Sequence, residues 1–176
     1  MTNYYLTMKV QDPALQRQLS QGGIGPYIEV EWNDDYAVAA TRDNFMEGAR
    51  VQASTDTDSI RLGQTYTLNQ DYRGSVNNGG PQDSIRFNNQ ADRVSPIIYR
   101  TINGFRVPIY VGTSQIPRSA TQEIKPNNKV KVWLQSNCES GTMINGIYGE
   151  SLEVDMSGRT SVKVFFDEDY KWSVQV

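Results

Sequence analysis

Residues 129–138 read KVKVWLQSNC, and the alternation through Gln135 sets how the rest of the chain is read. Successive side chains of a strand leave opposite faces of the pleat, so Val130, Val132 and Leu134 point to one side and Lys129, Lys131, Trp133 and Gln135 to the other. Trp133 therefore shares a face with two lysines and a glutamine, although the chain has only three tryptophans.

The same period of two recurs outward from this stretch. It appears in Tyr4/Leu6/Met8/Val10, Ile28/Val30/Trp32, Tyr36/Val38/Ala40, Tyr66/Leu68 and Ile85/Phe87. It continues in Phe105/Val107/Ile109/Val111, Leu152/Val154/Met156, Val162/Val164/Phe166 and Trp172/Val174/Val176, each run bounded by Gly, Asn, Asp or Pro. Short, regularly spaced runs of this kind predict an all-β fold: an antiparallel β-sandwich, with a closed β-barrel as the alternative. A chain of 176 residues is long enough for one such domain over residues 1–176, with a core that needs neither disulfide nor metal.

Turn chemistry agrees. Asn103-Gly104 stands between PIIYRT (96–101) and FRVPIYV (105–111), a strong hairpin signal, and FFDEDYKW (165–172) reads as a second hairpin. Pro96 and Pro108 remove ladder donors, which places their strands at an edge or beside a bulge. Only DPALQRQLSQGG (12–23) reads as a helix, a short connector that Asp12 caps, Pro13 opens, Leu15 and Leu19 anchor on one face, and Gly22 stops. The stretch NQDYRGSVNNGGPQDS (69–84) has no apolar period and is expected to form the longest exposed loop.

Composition narrows function by exclusion. A net charge of −3 disfavours nucleic acid and anionic membranes as partners, because phosphate binding relies on clustered Lys and Arg. The single cysteine, Cys138, leaves no internal disulfide, and MTNYYLTMKV lacks the regions of a signal peptide, so a cytoplasmic location is expected. No apolar run reaches the ~18–20 residues of a transmembrane helix, a test that a membrane-inserted β-hairpin escapes. The absence of histidine removes the commonest general base, the Ser-His-Asp and Cys-His constellations, and the imidazole ligand of most catalytic zinc sites.

Carboxylate chemistry remains. Glu29/Glu31 and Glu153/Asp155 each lie two residues apart on a strand face, the way all-β glycosidases mount an acid and a nucleophile, although solvent-facing strand positions carry such pairs routinely. DTDSIRLG (56–63) fails as a calcium loop, since Ile60 stands at a ligand position and Arg61 where Gly is needed. The turn Asp167-Glu168-Asp169 reads as a solvated hairpin tip. GGIG (22–25) lacks the Lys and following helix of a phosphate loop, and Cys138 has no histidine to activate it. No catalytic residue, metal ligand or cofactor is assigned.

Aromatics on the polar faces are the best remaining signal. Alternation puts Tyr5 with Thr7 and Lys9, Tyr27 with Glu29 and Glu31, Tyr110 with Arg106, Phe165 with Ser161 and Lys163, and Trp133 with its lysines. Such residues are covered by the protein's own loops, covered by a second subunit in a homo-oligomer, or left open as a platform for sugar rings or lipid headgroups.

In KVKVWLQSNCESGTMINGIYGESLEVDMSG (129–158) the chain resembles a group of small β-rich proteins predicted in fungi and some bacteria, which have no assigned activity. The shared words are VQAST (51–55), GQTYTL (63–68), VPIYV (107–111), KVWLQ (131–135), TMI (142–144) and LEVDMSG (152–158). The resemblance implies a one-domain β fold and carries over no functional residue.

Together these readings predict a non-catalytic binding protein, lectin-like toward glycans, of a microbial defence or storage type. Its surface would combine Tyr72, Arg73, Asn77 and Asn78 of the 69–84 stretch with Tyr27, Tyr110 and Trp133. A membrane-active or self-assembling β protein is the alternative, and a carboxylate glycosidase the next.

Overall fold

The computed structural model describes residues 2–21, 23–135, 141–144 and 150–175. Gly22, Cys138 and Val176, expected as a helix stop, an inert thiol and the end of a strand, lie outside them. The described chain is all-β with one short helix, and no sheet in it closes into a barrel. Its contacts divide it into two compact units.

The unit of residues 34–126 and 141–144 is a β-sandwich. It takes the second half of β2 (Tyr27–Thr41) with β3 (Asp58–Ile60), β4 (Gln64–Leu68), β5 (Gly74–Asn78), β6 (Ile85–Asn89), β7 (Ser95–Ile102), β8 (Phe105–Val111) and β9 (Thr121–Ile124). In one sheet β7 lies between β2 and β8, and β3 pairs with β2; the other runs β5-β4-β6-β9. Apolar faces of both meet in one core, where Val38 and Ala40 of β2 and Ile98 of β7 face Tyr66, Leu68, Ile85 and Phe87, all fully buried. Each large side chain so buried is worth roughly 1.5–3 kcal/mol.

The second unit joins Thr2–Asn33 to residues 127–135 and 150–175. It holds β1 (Asn3–Lys9), α1 (Pro13–Gln21), the first half of β2, β10 (Lys129–Trp133), β11 (Ser151–Asp155), β12 (Ser161–Phe166) and β13 (Trp172–Val174). Its main sheet runs β2-β1-β12-β13, while β10 and β11 form a separate antiparallel pair. Leu6, Met8, Trp32, Val162, Val164 and Phe166 form its buried side with Val154 and Met156. The helix starts as its sequence dictates, with the Leu15 N–H donating to Asp12 Oδ2 at 2.8 Å and Leu15 buried.

Both units contain a parallel pair, β1 with β12 and β4 with β6, beside antiparallel ones such as β1 with β2 and β4 with β5. Both predicted hairpins are present, and Asn103 and Gly104 take φ of 50° and 80°, the left-handed pair that matches strand twist.

Three local expectations are corrected. Asn33-Asp34-Asp35, read as a boundary between two runs, lies inside the continuous strand β2. Asp34 accepts a 2.6 Å hydrogen bond from the Arg100 guanidinium, and Asp35 accepts one from the Thr101 hydroxyl, so these carboxylates are held in the sheet instead of turning the chain. The 69–84 stretch is a hairpin arm and not one long loop: β5 pairs with β4, because backbone ladder bonds need no apolar period. In β8, Ile98 pairs with Tyr110 but Tyr99 with Pro108, which makes Ile109 an extra residue. The bulge reverses the alternation, leaving Ile109 exposed while Tyr110 packs against the core. Pro108 sits beside that bulge on the edge strand, as its missing donor demands. Among the described residues no helix is long and apolar enough to cross a membrane.

Candidate functional site

The register of the second unit gathers polar-face aromatics that are far apart in sequence. Lys9 of β1 is the Cα partner of both Tyr27 of β2 and Phe165 of β12, and Phe165 is the partner of Ser173 of β13. Partners in a sheet project to the same side, so Tyr27, Lys9, Phe165 and Ser173 form a row across four strands. Glu29, Thr7 and Lys163 form the next row, and Glu31, Tyr5 and Ser161 a third.

This face is open. Tyr27 is 54% exposed, Glu29, Glu31, Lys163, Ser161 and Ser173 are exposed, and Tyr5, Lys9 and Phe165 are half-buried. Thr7, at the centre, is buried, as expected of a small side chain among long neighbours. The Tyr27 hydroxyl donates to Glu29 Oε2 at 3.0 Å, and the Lys9 ammonium lies 5.8 Å from the Tyr27 ring centroid. Both contacts tie down the ring while much of it stays accessible.

The other expected site residues lie on other elements. Trp133 is half-buried on β10, and its Nε1–H donates to Gln135 Oε1 at 2.9 Å. Its two lysines have another purpose, for Lys129 and Lys131 oppose Asp155 and Glu153 across the β10–β11 pair, and Lys129 Nζ lies 3.6 Å from Glu153 Oε1. Trp133 thus stands at the end of a charge ladder.

In the sandwich unit, Tyr72 has φ of 61° in the β4–β5 turn and packs against the core, with the Arg42 guanidinium 3.7 Å from its ring centroid. A ring capped by a guanidinium has lost a stacking face. The backbone of Arg73 closes the same turn, its N–H donating to Asp71 and its carbonyl accepting from Asn69, while its side chain is exposed. Asn77 and Asn78 are exposed at the far end of β5, and Asn78 Oδ1 accepts from Gln64 Nε2 at 2.9 Å. The strand therefore separates Tyr72 and Arg73 from the two asparagines.

Tyr110 lines a groove of about 330 Å³ with Phe45, Val51, Ile109, Val111 and Met143, and its hydroxyl accepts from Gln122 Nε2 at 2.8 Å. Most residues lining the groove are apolar, and Thr113 and Thr142 are among the others.

The two carboxylate pairs differ in setting. Glu29 and Glu31 belong to the open face, whereas Glu153 faces Lys129 and Asp155 accepts from the Ser157 N–H. Hydrogen bonds from Ser157 hold the Asp155 carboxyl below its ordinary pKa. A glycosidase acid needs the opposite shift. Among the described residues no group of three or more acidic or cysteine side chains could hold a metal ion.

Lys9, Thr7, Lys163 and Ser173 complete the face and were not singled out as site residues by sequence reasoning. Alternation put Thr7, Lys9 and Lys163 on polar faces, but only the pairing of β1 with β12 shows that it is the same face. No family model, curated protein or solved structure matches the chain.

Proposed function

We propose that this protein is a non-catalytic carbohydrate-binding protein and that the open face of β2, β1, β12 and β13 is its recognition surface. One observation carries the reading: Tyr27, Phe165 and Tyr5 share that face with Glu29, Glu31, Lys9 and Lys163. Aromatic rings stack on the apolar faces of sugar rings, and carboxylates and ammonium groups on either side exchange hydrogen bonds with hydroxyls. Such recognition requires no cofactor and no histidine.

Tyr27→Ala tests it. Tyr27 is more exposed than buried, so its loss should leave the denaturation midpoint within about 0.5 kcal/mol of wild type. Binding on a glycan array and by calorimetry should fall at least about tenfold, or about 1.4 kcal/mol. Undiminished glycan binding by the variant would remove the face from the reading.

A second reading rests on the β7–β8 hairpin, where Phe105 is 74% exposed beside the Asn103-Gly104 turn. An aromatic at a hairpin tip suits a lipid surface or a second copy of the chain. Sedimentation with and without liposomes separates it from carbohydrate binding.

A further inference from the structure

Resting on the carbohydrate-binding assignment, we infer that the ligand is an uncharged, extended polysaccharide lying across the strands, with one sugar on Tyr27 and another on Phe165. The two residues occupy the same row with one strand between them, which separates their backbones by roughly 9–10 Å. That distance is close to the length of a disaccharide, so two stacking sites in a row match alternate sugars of a straight chain. Lys9 stands between them in the row with its ammonium 5.8 Å from the Tyr27 ring centroid, a donor for the ring or hydroxyl oxygens of a sugar bound there.

Charge selects against an acidic chain. Lys9 and Lys163 are balanced by Glu29 and Glu31 on the same face, and the whole protein carries −3. A polyuronate or sulfated glycan would meet two carboxylates and no net attraction. Shape selects against chain ends: Tyr27 and Ser173, at the two ends of the row, are both exposed, so neither end is enclosed. A terminal-sugar site would instead be enclosed.

The test uses the full chain against cellulose, chitin and linear β-1,3-glucan, against polygalacturonate and alginate, and against a disaccharide, a tetrasaccharide and a hexasaccharide of whichever neutral polymer retains it. Retention on a neutral polymer is expected to survive high salt, and affinity should rise from disaccharide to hexasaccharide. Phe165→Leu keeps an apolar side chain in the strand and removes the ring. It should weaken hexasaccharide binding about tenfold, or about 1.4 kcal/mol, and leave disaccharide binding unchanged. Its urea midpoint controls for folding, and Arg93→Glu, at an exposed position between β6 and β7, tests net charge without altering any residue of the face. Arg93→Glu should leave neutral-polymer binding within about twofold.

Preference for an anionic polymer, salt-sensitive retention, or a Phe165→Leu effect equal on short and long chains overturns the inference while Tyr27-dependent binding still upholds the carbohydrate assignment. Failure of every glycan to bind overturns both.

Discussion

Gly74→Ala isolates a packing relation that the fold depends on. A Cβ added at Gly74 would stand 2.2 Å from Tyr66 Cε2 and 2.5 Å from its Cζ and hydroxyl oxygen, far inside any real contact. The ring cannot withdraw freely. Tyr66 is fully buried and packs at 5.1 Å on Phe87, which is fully buried as well. Forcing a methyl into such a site costs roughly 1–3 kcal/mol. Against this, Gly74 does not take a positive φ, so alanine there should gain about 0.4–1 kcal/mol by restricting the unfolded chain. The net expectation is a loss of about 1–2 kcal/mol, sizeable against a typical total of roughly 5–15 kcal/mol. Tyr66→Leu provides the internal control, because leucine ends short of the ring atoms that meet the new methyl. Tyr66→Leu alone should be destabilising, yet in that background Gly74→Ala should become neutral or stabilising, a coupling of about 1–3 kcal/mol. Urea denaturation of the four proteins, compared at a common slope, measures each corner of the cycle. A neutral Gly74→Ala in the wild type, or the same cost in both backgrounds, would refute the reasoning.

Two further outcomes are expected. Burial raises the pKa of Tyr66 from 10.0 to about 12, so the folded state holds its proton more tightly than the unfolded chain; the resulting stability is complete below about pH 10 and is lost between about pH 10 and 12, and Tyr66→Phe should flatten that alkaline fall by about 1–3 kcal/mol in thermal melts across this range. At neutral pH the same variant should lie within about 1 kcal/mol of wild type, because the Tyr66 hydroxyl has no hydrogen-bond partner among the described residues and the nearby Thr55 hydroxyl already serves the Ala40 N–H and the Asp56 carbonyl. Trp133→Ala should cost about 1–3 kcal/mol, less than the 3–5 kcal/mol of a fully buried aromatic, since Trp133 is only half-buried; chemical denaturation that showed no change would mean that its ring contributes nothing to the β10–β11 pair.

The strands were legible because their information is local. Alternation at Leu6/Met8, Val162/Val164 and Tyr66/Leu68 needs only each residue's neighbours, and these positions are buried. Asn103-Gly104 marks its turn for the same reason, since the left-handed backbone is a property of those two residues. Reading failed where a remote group set the outcome. Asp34 and Asp35 look like turn residues until Arg100 and Thr101 pair with them, and β5 looks like a loop until β4 supplies its ladder. Ile109 and Tyr110 exchanged faces through a bulge that shows only in the register with β7.

The same distinction governs the candidate site. Tyr5, Tyr27 and Phe165 each announce themselves locally as aromatics out of phase with an apolar stripe, but whether three such residues make a surface depends on strand order. In a simple meander β12 would pair with its sequence neighbours, and Phe165 could stand on a different sheet from Tyr27. Here β1 pairs in parallel with β12 on one side and antiparallel with β2 on the other, and Lys9 is the residue opposite both aromatics. A one-residue slip in either pairing would carry Tyr27 or Phe165 to the opposite face, because strand side chains alternate. The buried faces of Leu6, Met8, Val162 and Val164 resist that slip, since it would turn them toward water. Core packing on one side of the sheet therefore fixes the spacing of the rings on the other.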